Sequence, residues 1–120
     1  MLKRFLLLSL LVLVLAACGD VAGDPSDTVE QYLEAKISGD RDTLGQLLCS
    51  EMETDLAREA VSFASVEARL EGVSCTANGD IVICEGTIVA TYGTEDREFP
   101  LSSYRVVQED GEWRWCGEAQ

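Results

Sequence analysis

Apolar residues recur at helical spacing through the first half of the chain and at every second position through the second half. Val29, Tyr32, Leu33 and Ile37 stand at i, i+3, i+4 and i+8, which is one stripe on a helix. Asp24 suits the N-cap and Pro25 the first helical position, where a missing N–H costs nothing, and Gly39 supplies the stop. A second helix, capped by Asp40 or Asp42, carries Leu44, Leu47, Leu48 and Met52. Leu56, Ala57, Ala60 and Val61 form a third helix or a bent extension beyond Ser50 to Thr54.

From Ser65 the period changes to two. Val66, Ala68 and Leu70 alternate, then Val73 and Cys75 alternate in the opposite phase, with the slip at Glu71-Gly72, where a glycine permits a bulge. Asn78-Gly79-Asp80 is a tight turn and Ile81 to Tyr92 a long strand. Gly93 to Asp96 turns, Glu98 to Gln108 returns, Glu109-Asp110-Gly111 turns again, and Trp113 to Cys116 closes. Helices over about 25–64 followed by four antiparallel strands over about 65–118 define an α+β domain. Its simplest assembly lays the N-terminal helices on the concave face of a curved four-stranded antiparallel sheet.

The first 17 residues have a different pattern. Lys3 and Arg4 precede an apolar run from Phe5 to Leu15, broken only by Ser9, and Ala16 and Ala17 follow. That is the layout of a secretory signal, and the run falls short of the ~20 apolar residues of a permanent membrane span. The segment ends Leu15-Ala16-Ala17-Cys18, which resembles the lipobox of bacterial lipoproteins. The resemblance implies cleavage before Cys18, a lipid (palmitate-type acyl) anchor on it, a tether over 18–24, and one domain over 25–120 held to the membrane on the extracytoplasmic side of the cell envelope.

Charge narrows the partners. Without residues 1–17 the chain keeps 103 residues, 7 basic and 22 acidic, for a formal net charge of −15. Phosphate binding needs a basic footprint, so no nucleic acid is expected, and attachment to an anionic bilayer must come from the lipid on Cys18. A protein partner or a small apolar ligand is what remains. The chain has no histidine, which removes the commonest general base and metal ligand and excludes Ser-His and Cys-His pairs. No cofactor is expected.

The segments TVEQYLEAKISGD (28–40), DTLGQLL (42–48) and YRVVQEDGEWRWC (104–116) resemble small bacterial lipoproteins of the cystatin-like cone fold, the nuclear-transport-factor-two-like superfamily. The resemblance is one of pattern over about residues 25–118. It implies a cleft between helices and sheet. The superfamily holds isomerases and dehydratases that use an Asp or Glu base there, together with transport adaptors and non-enzymatic modules, so the fold transfers no function.

Four cysteines remain besides Cys18: Cys49, Cys75, Cys84 and Cys116. An even number in an exported domain points to two disulfides with three possible connectivities. The rival, a metal site, lacks both C-x-x-C spacing and histidine. With Gly79-Asp80 as the turn, Cys75 faces Cys84 at about 4.5–5.5 Å between Cα atoms, within bonding range. Cys84 and Cys116 are separated by a strand, roughly 10 Å, too far to bridge. Elimination leaves Cys49 with Cys116. One tension follows: a Cys116 that faces the helices turns Trp113 and Trp115 away from them, unless a bulge intervenes.

Among carboxylates, Glu85 sits between Cys84 and Gly86 in an apolar strand and is the candidate for a cleft base. The alternation that turns Cys84 and Ile88 inward, however, turns Glu85 to solvent. Tyr92 and Tyr104 are candidates for lining a cleft, and Trp113 and Trp115 for a ligand platform, though paired aromatics at the end of a small domain more often fill its core. Arg97, Arg105 and Arg114 fit ordinary cross-strand charge pairing. The reading is therefore a lipid-anchored, non-enzymatic binding domain, with a carboxylate-base enzyme as the alternative.

Overall fold

The computed structural model describes residues 23–120; the expected signal, Cys18 and most of the tether lie outside that range. Helix α1 runs Pro25–Ser38, with the Asp24 carboxylate accepting from the Ser26 N–H at 2.9 Å. Helix α2 is Arg41–Leu47, a 3₁₀ segment covers Ser50–Asp55, and α3 is Leu56–Ala60. The strands are β1 (Glu67–Asn78), β2 (Ile81–Tyr92), β3 (Glu95–Pro100), β4 (Ser103–Glu109) and β5 (Glu112–Glu118). All pair antiparallel in the order β1-β2-β4-β5, with β3 also on β2. Among the described residues no helix is long and apolar enough to cross a membrane.

The sheet has five strands rather than four. The segment expected as one strand from Glu98 to Gln108 begins at Glu95 and breaks at Leu101-Ser102, so that β3 pairs with the far half of β2 and β4 with its near half. The break lies across from Gly86, whose carbonyl accepts from the Leu101 N–H at 2.9 Å. On the other side of β2, the β1 register shifts between Glu71 and Ser74, at the predicted phase slip. Gly86 has φ +113°, and a Cβ there would stand 2.7 Å from the backbone oxygens of Glu71 and Gly72. Only glycine fits. Both irregularities fall at one level of the sheet and bend it, and the helices fill the hollow.

The core joins Val29, Tyr32 and Leu33 of α1, Leu44 of α2, Val82 of β2, Val106 of β4 and Trp115 of β5, all nearly inaccessible to water. The α3 stripe differs from expectation. Ala57 and Val61 are exposed, and the inward side is Leu56, Glu59, Ala60 and the following Phe63. Cys75 pairs with Cys84 across the β1–β2 hairpin with Cα atoms 4.1 Å apart, and Cys49 is bonded to Cys116 at 5.3 Å. These are the pairs that the register argument selects. Next to the second bond, the Cys49 N–H donates to the Trp115 carbonyl at 2.9 Å, tying the end of α2 to β5.

The tension over the tryptophans is resolved by a bulge. Val106 faces Trp115 but Tyr104 faces Glu118, so β5 carries an extra residue at Cys116-Gly117, with Gly117 at φ +95°. Trp115 and Cys116 are therefore both buried on the helical side, and Trp113, one repeat earlier, packs half-buried against the same core.

Candidate functional site: a cleft between the helices and the sheet

Tyr32 and Lys36 are one turn apart on α1 and share a face. The inward stripe of α3 brings Glu59 opposite them. The Tyr32 hydroxyl donates to Glu59 Oε2 at 2.6 Å, and Lys36 Nζ lies 3.1 Å from the same oxygen and 3.4 Å from the Tyr32 hydroxyl. The Tyr32 ring stacks on Trp115, with centroids 3.9 Å apart and planes at 12°. Tyr104 completes the aromatic group, its centroid 6.3 Å from Tyr32, its hydroxyl accepting from the Ser102 N–H at 3.3 Å. These residues form one side of a cleft of about 500 Å³ whose other walls are mainly apolar: Leu33, Met52, Ile88, Leu101, and the edge-on pair Phe63 and Phe99, centroids 5.9 Å apart.

The chemistry of this group follows from burial. Removal from water, followed by the bond to Glu59, pushes the Tyr32 phenol far above its ordinary range, so it stays a protonated donor. Burial raises Tyr104 as well, with the charges of Glu118 and Glu59 adding to it. Glu59 is 8% exposed, and Lys36 and Tyr32 supply the polar partners that so buried a side chain needs. The other cleft cation, Arg58, is held by Asp55 at 2.9 Å. Trp115 adds a cost, since its indole Nε1–H is buried without a partner.

Of the candidates drawn from the sequence, Tyr104 and Trp115 line the cleft. Glu85 does not: it is exposed on the face opposite Cys84, as strict alternation along β2 requires. Tyr92 lies 36% exposed near the β2–β3 turn with the Arg97 guanidinium 5.0 Å above its ring. Trp113 packs beside the core rather than in the cleft. Arg114 pairs within its own strand with Glu112 at 3.0 Å, and Arg105 approaches Glu51 of the 3₁₀ segment at 4.0 Å, so the three arginines do not form the expected cross-strand set. The residues that sequence reasoning missed are Glu59 and Lys36. Their signal was present: Glu59 occupies the i+3 place of the stripe Leu56, Ala60, Phe63, where a charge needs a partner. Among the described residues one cluster has metal-ligand proximity, Cys49, Glu51 and Cys116, but its sulfurs are bonded to each other and offer no thiolate.

No protein-family model matches the chain, and no curated protein matches it in sequence. Solved structures do match it in fold. An NTF2-like protein of unknown function in nutrient uptake from Rhodospirillum rubrum is 18% identical, with 79% of this chain and 95% of that one covered and a TM-score of 0.50. An LEH-like epoxide hydrolase from M. tuberculosis is 20% identical over 78% of each chain, TM-score 0.53. A SEC-C motif-containing protein from Rhodopseudomonas palustris is 17% identical over 78% of this chain and 76% of that one, TM-score 0.54. The chain has the NTF2-like cone fold, with helices packed on a curved antiparallel sheet. Since that fold serves a protein of unknown function and an epoxide hydrolase alike, activity has to be argued from the cleft.

Proposed function

We propose that the protein is a lipid-anchored domain on the extracytoplasmic side of a bacterial membrane, and that its cleft binds a small, mainly apolar ligand without transforming it. The signal-like N-terminus and Cys18 support the anchoring, and two disulfides suit an oxidising compartment. Binding is carried by one observation. The interior is open over about 500 Å³, its walls are mainly apolar, and its buried carboxylate is engaged by a lysine and a tyrosine. The alternative, a carboxylate-base enzyme, draws on the same Glu59 beside Tyr32. An ammonium and a phenol on one oxygen hold that carboxylate as a fixed acceptor, which favours binding.

Nile red, an uncharged apolar dye, tests the binding reading. Its fluorescence should rise on titration with the intact protein, and Leu101→Trp, which fills the cleft from a half-buried position, should abolish the rise. Equal dye binding by both proteins would contradict a cleft site. For the anchor, mass spectrometry of the membrane-extracted protein should find acyl groups on an N-terminal Cys18, and Cys18→Ala should remove them. An unmodified secreted chain that starts elsewhere would contradict it.

A further inference from the structure

The contacts of Glu59 are lopsided. The Tyr32 hydroxyl and the Lys36 ammonium both engage Oε2, and no described residue donates to Oε1. Only a tenth of the side chain is exposed, yet Oε1 is not sealed away. Among the described residues, Trp115 Nε1 is the buried side-chain polar atom that is both sealed and unpartnered. Oε1 therefore keeps some accessible surface, and Glu59 is part of the cleft wall. A carboxylate oxygen in such a place requires a donor, and Glu59 has only acceptors to offer.

We infer that Glu59 Oε1 is the polar recognition point of the cleft and that the ligand is an uncharged, largely apolar molecule bearing a hydroxyl group. This rests on the binding reading above and specifies its ligand class. The charges in the cleft decide against the alternatives. Lys36 already pairs with Glu59, Arg58 stands three-quarters exposed and hydrated beside Asp55 at the rim, and Glu118 on the cleft wall would repel a carboxylate or phosphate. An ammonium would be stripped of water beside a carboxylate whose charge Lys36 already matches, a poor exchange in a low-dielectric site. A hydroxyl makes one charge-assisted bond at little desolvation cost. The remaining body of the molecule then lies on Leu33, Ile88, Leu101, Phe63 and Phe99.

Five ten-carbon competitors test this on the intact protein loaded with Nile red: n-decane, 2-decanone, 1-decanol, decanoate and decylammonium. The alcohol should displace the dye roughly tenfold more effectively than the ketone, the factor set by one hydrogen bond to a charged acceptor. Decanoate and decylammonium should be weaker than the alcohol. In Glu59→Gln, Tyr32 and Lys36 draw the amide oxygen to the place of Oε2 and leave the amide NH₂ facing the cleft. The preference for alcohol should then vanish, with 2-decanone competing at least as well. Equal displacement by alcohol and ketone in the parent protein overturns the inference, as does tightest binding of either ion or an alcohol preference that survives in Glu59→Gln. In each case competition by decane leaves the binding reading standing. If none of the five displaces the dye, the binding reading itself fails.

Discussion

The interior of this small domain is packed in one region and open in another, although the same α1 and the same sheet bound both. In the packed region Val29, Leu44, Val82 and Val106 are fully inaccessible, and the Cys49–Cys116 bond pins the end of α2 to β5 beside them. In the open region α3 is only five residues long and β3 has no buried residue, so β3 and the turn after α3 supply the exposed Phe99 and the half-buried Phe63 in place of a filled layer. The difference lies in what each helix delivers to the hollow. Helix α2 delivers leucines. Helix α3 delivers a glutamate, which has to be met by Tyr32 and Lys36 and so keeps polar atoms and space where aliphatic side chains would otherwise meet.

Truncation should separate the two regions most strongly. Leu44→Ala in the packed region should cost ~2–5 kcal/mol, the transfer loss plus an unfilled cavity. Leu101→Ala, on the cleft wall, should cost about 1 kcal/mol or less, since the space beside it is already open. Urea denaturation of both variants measures this, and similar losses would mean that the cleft is as tightly packed as the core.

The disulfides come next. Removing Cys49–Cys116 frees a loop of 67 residues and removing Cys75–Cys84 a loop of 9. Chain entropy alone makes the first double-Ser variant less stable than the second by about 1.8 kcal/mol. The same pair also ties down the packed region, so its loss should loosen α2 while the β1–β2 hairpin holds. Hydrogen exchange at Leu48, whose N–H bonds the Leu44 carbonyl, against Thr76 and Ile83 would show it. Greater loosening of the hairpin would reverse the comparison.

Tyr32→Phe comes last and has the most specific signature. It deletes the donor to Glu59 at a cost of about 1–3 kcal/mol. Because the folded-state phenol titrates far above its ordinary value, its contribution is fully present below about pH 10, where the unfolded tyrosine also keeps its proton. It is lost as pH rises further and the unfolded chain ionises first, by about 1.4 kcal/mol per pH unit for this one group. The stability of Tyr32→Phe should therefore fall less steeply than that of the parent protein between pH 10 and 11. Parallel slopes would place Tyr32 in water.

Much of the packed region was legible from the chain. The phase slip at Glu71-Gly72 appears as the β1 register shift, and counting outward from the Gly79-Asp80 turn sets Cys75 opposite Cys84. These features depend on local spacing, which periodicity reads directly. The cleft was less legible because it depends on exceptions to the period. Alternation places Trp115 and Cys116 on opposite faces, and only the glycine after them signals that a bulge brings both inward. A five-residue helix offers too short a stripe to reveal its phase, so Ala57 and Val61 looked inward and Glu59 did not. Glu85 drew attention for its apolar neighbours, yet in a strand those neighbours are what turn it outward.

The two tryptophans allow the most direct test of an open, ligand-taking cleft. The chain has only two, so a heteronuclear NMR spectrum shows two indole N–H signals, and Trp113→Phe assigns them. Trp115 forms part of the cleft wall and stacks on Tyr32, whereas Trp113 packs outside it. On titration with 1-decanol the Trp115 signal should shift and saturate while the Trp113 signal stays in place. A spectrum in which neither signal moves, or in which both move together without saturating, would contradict the account.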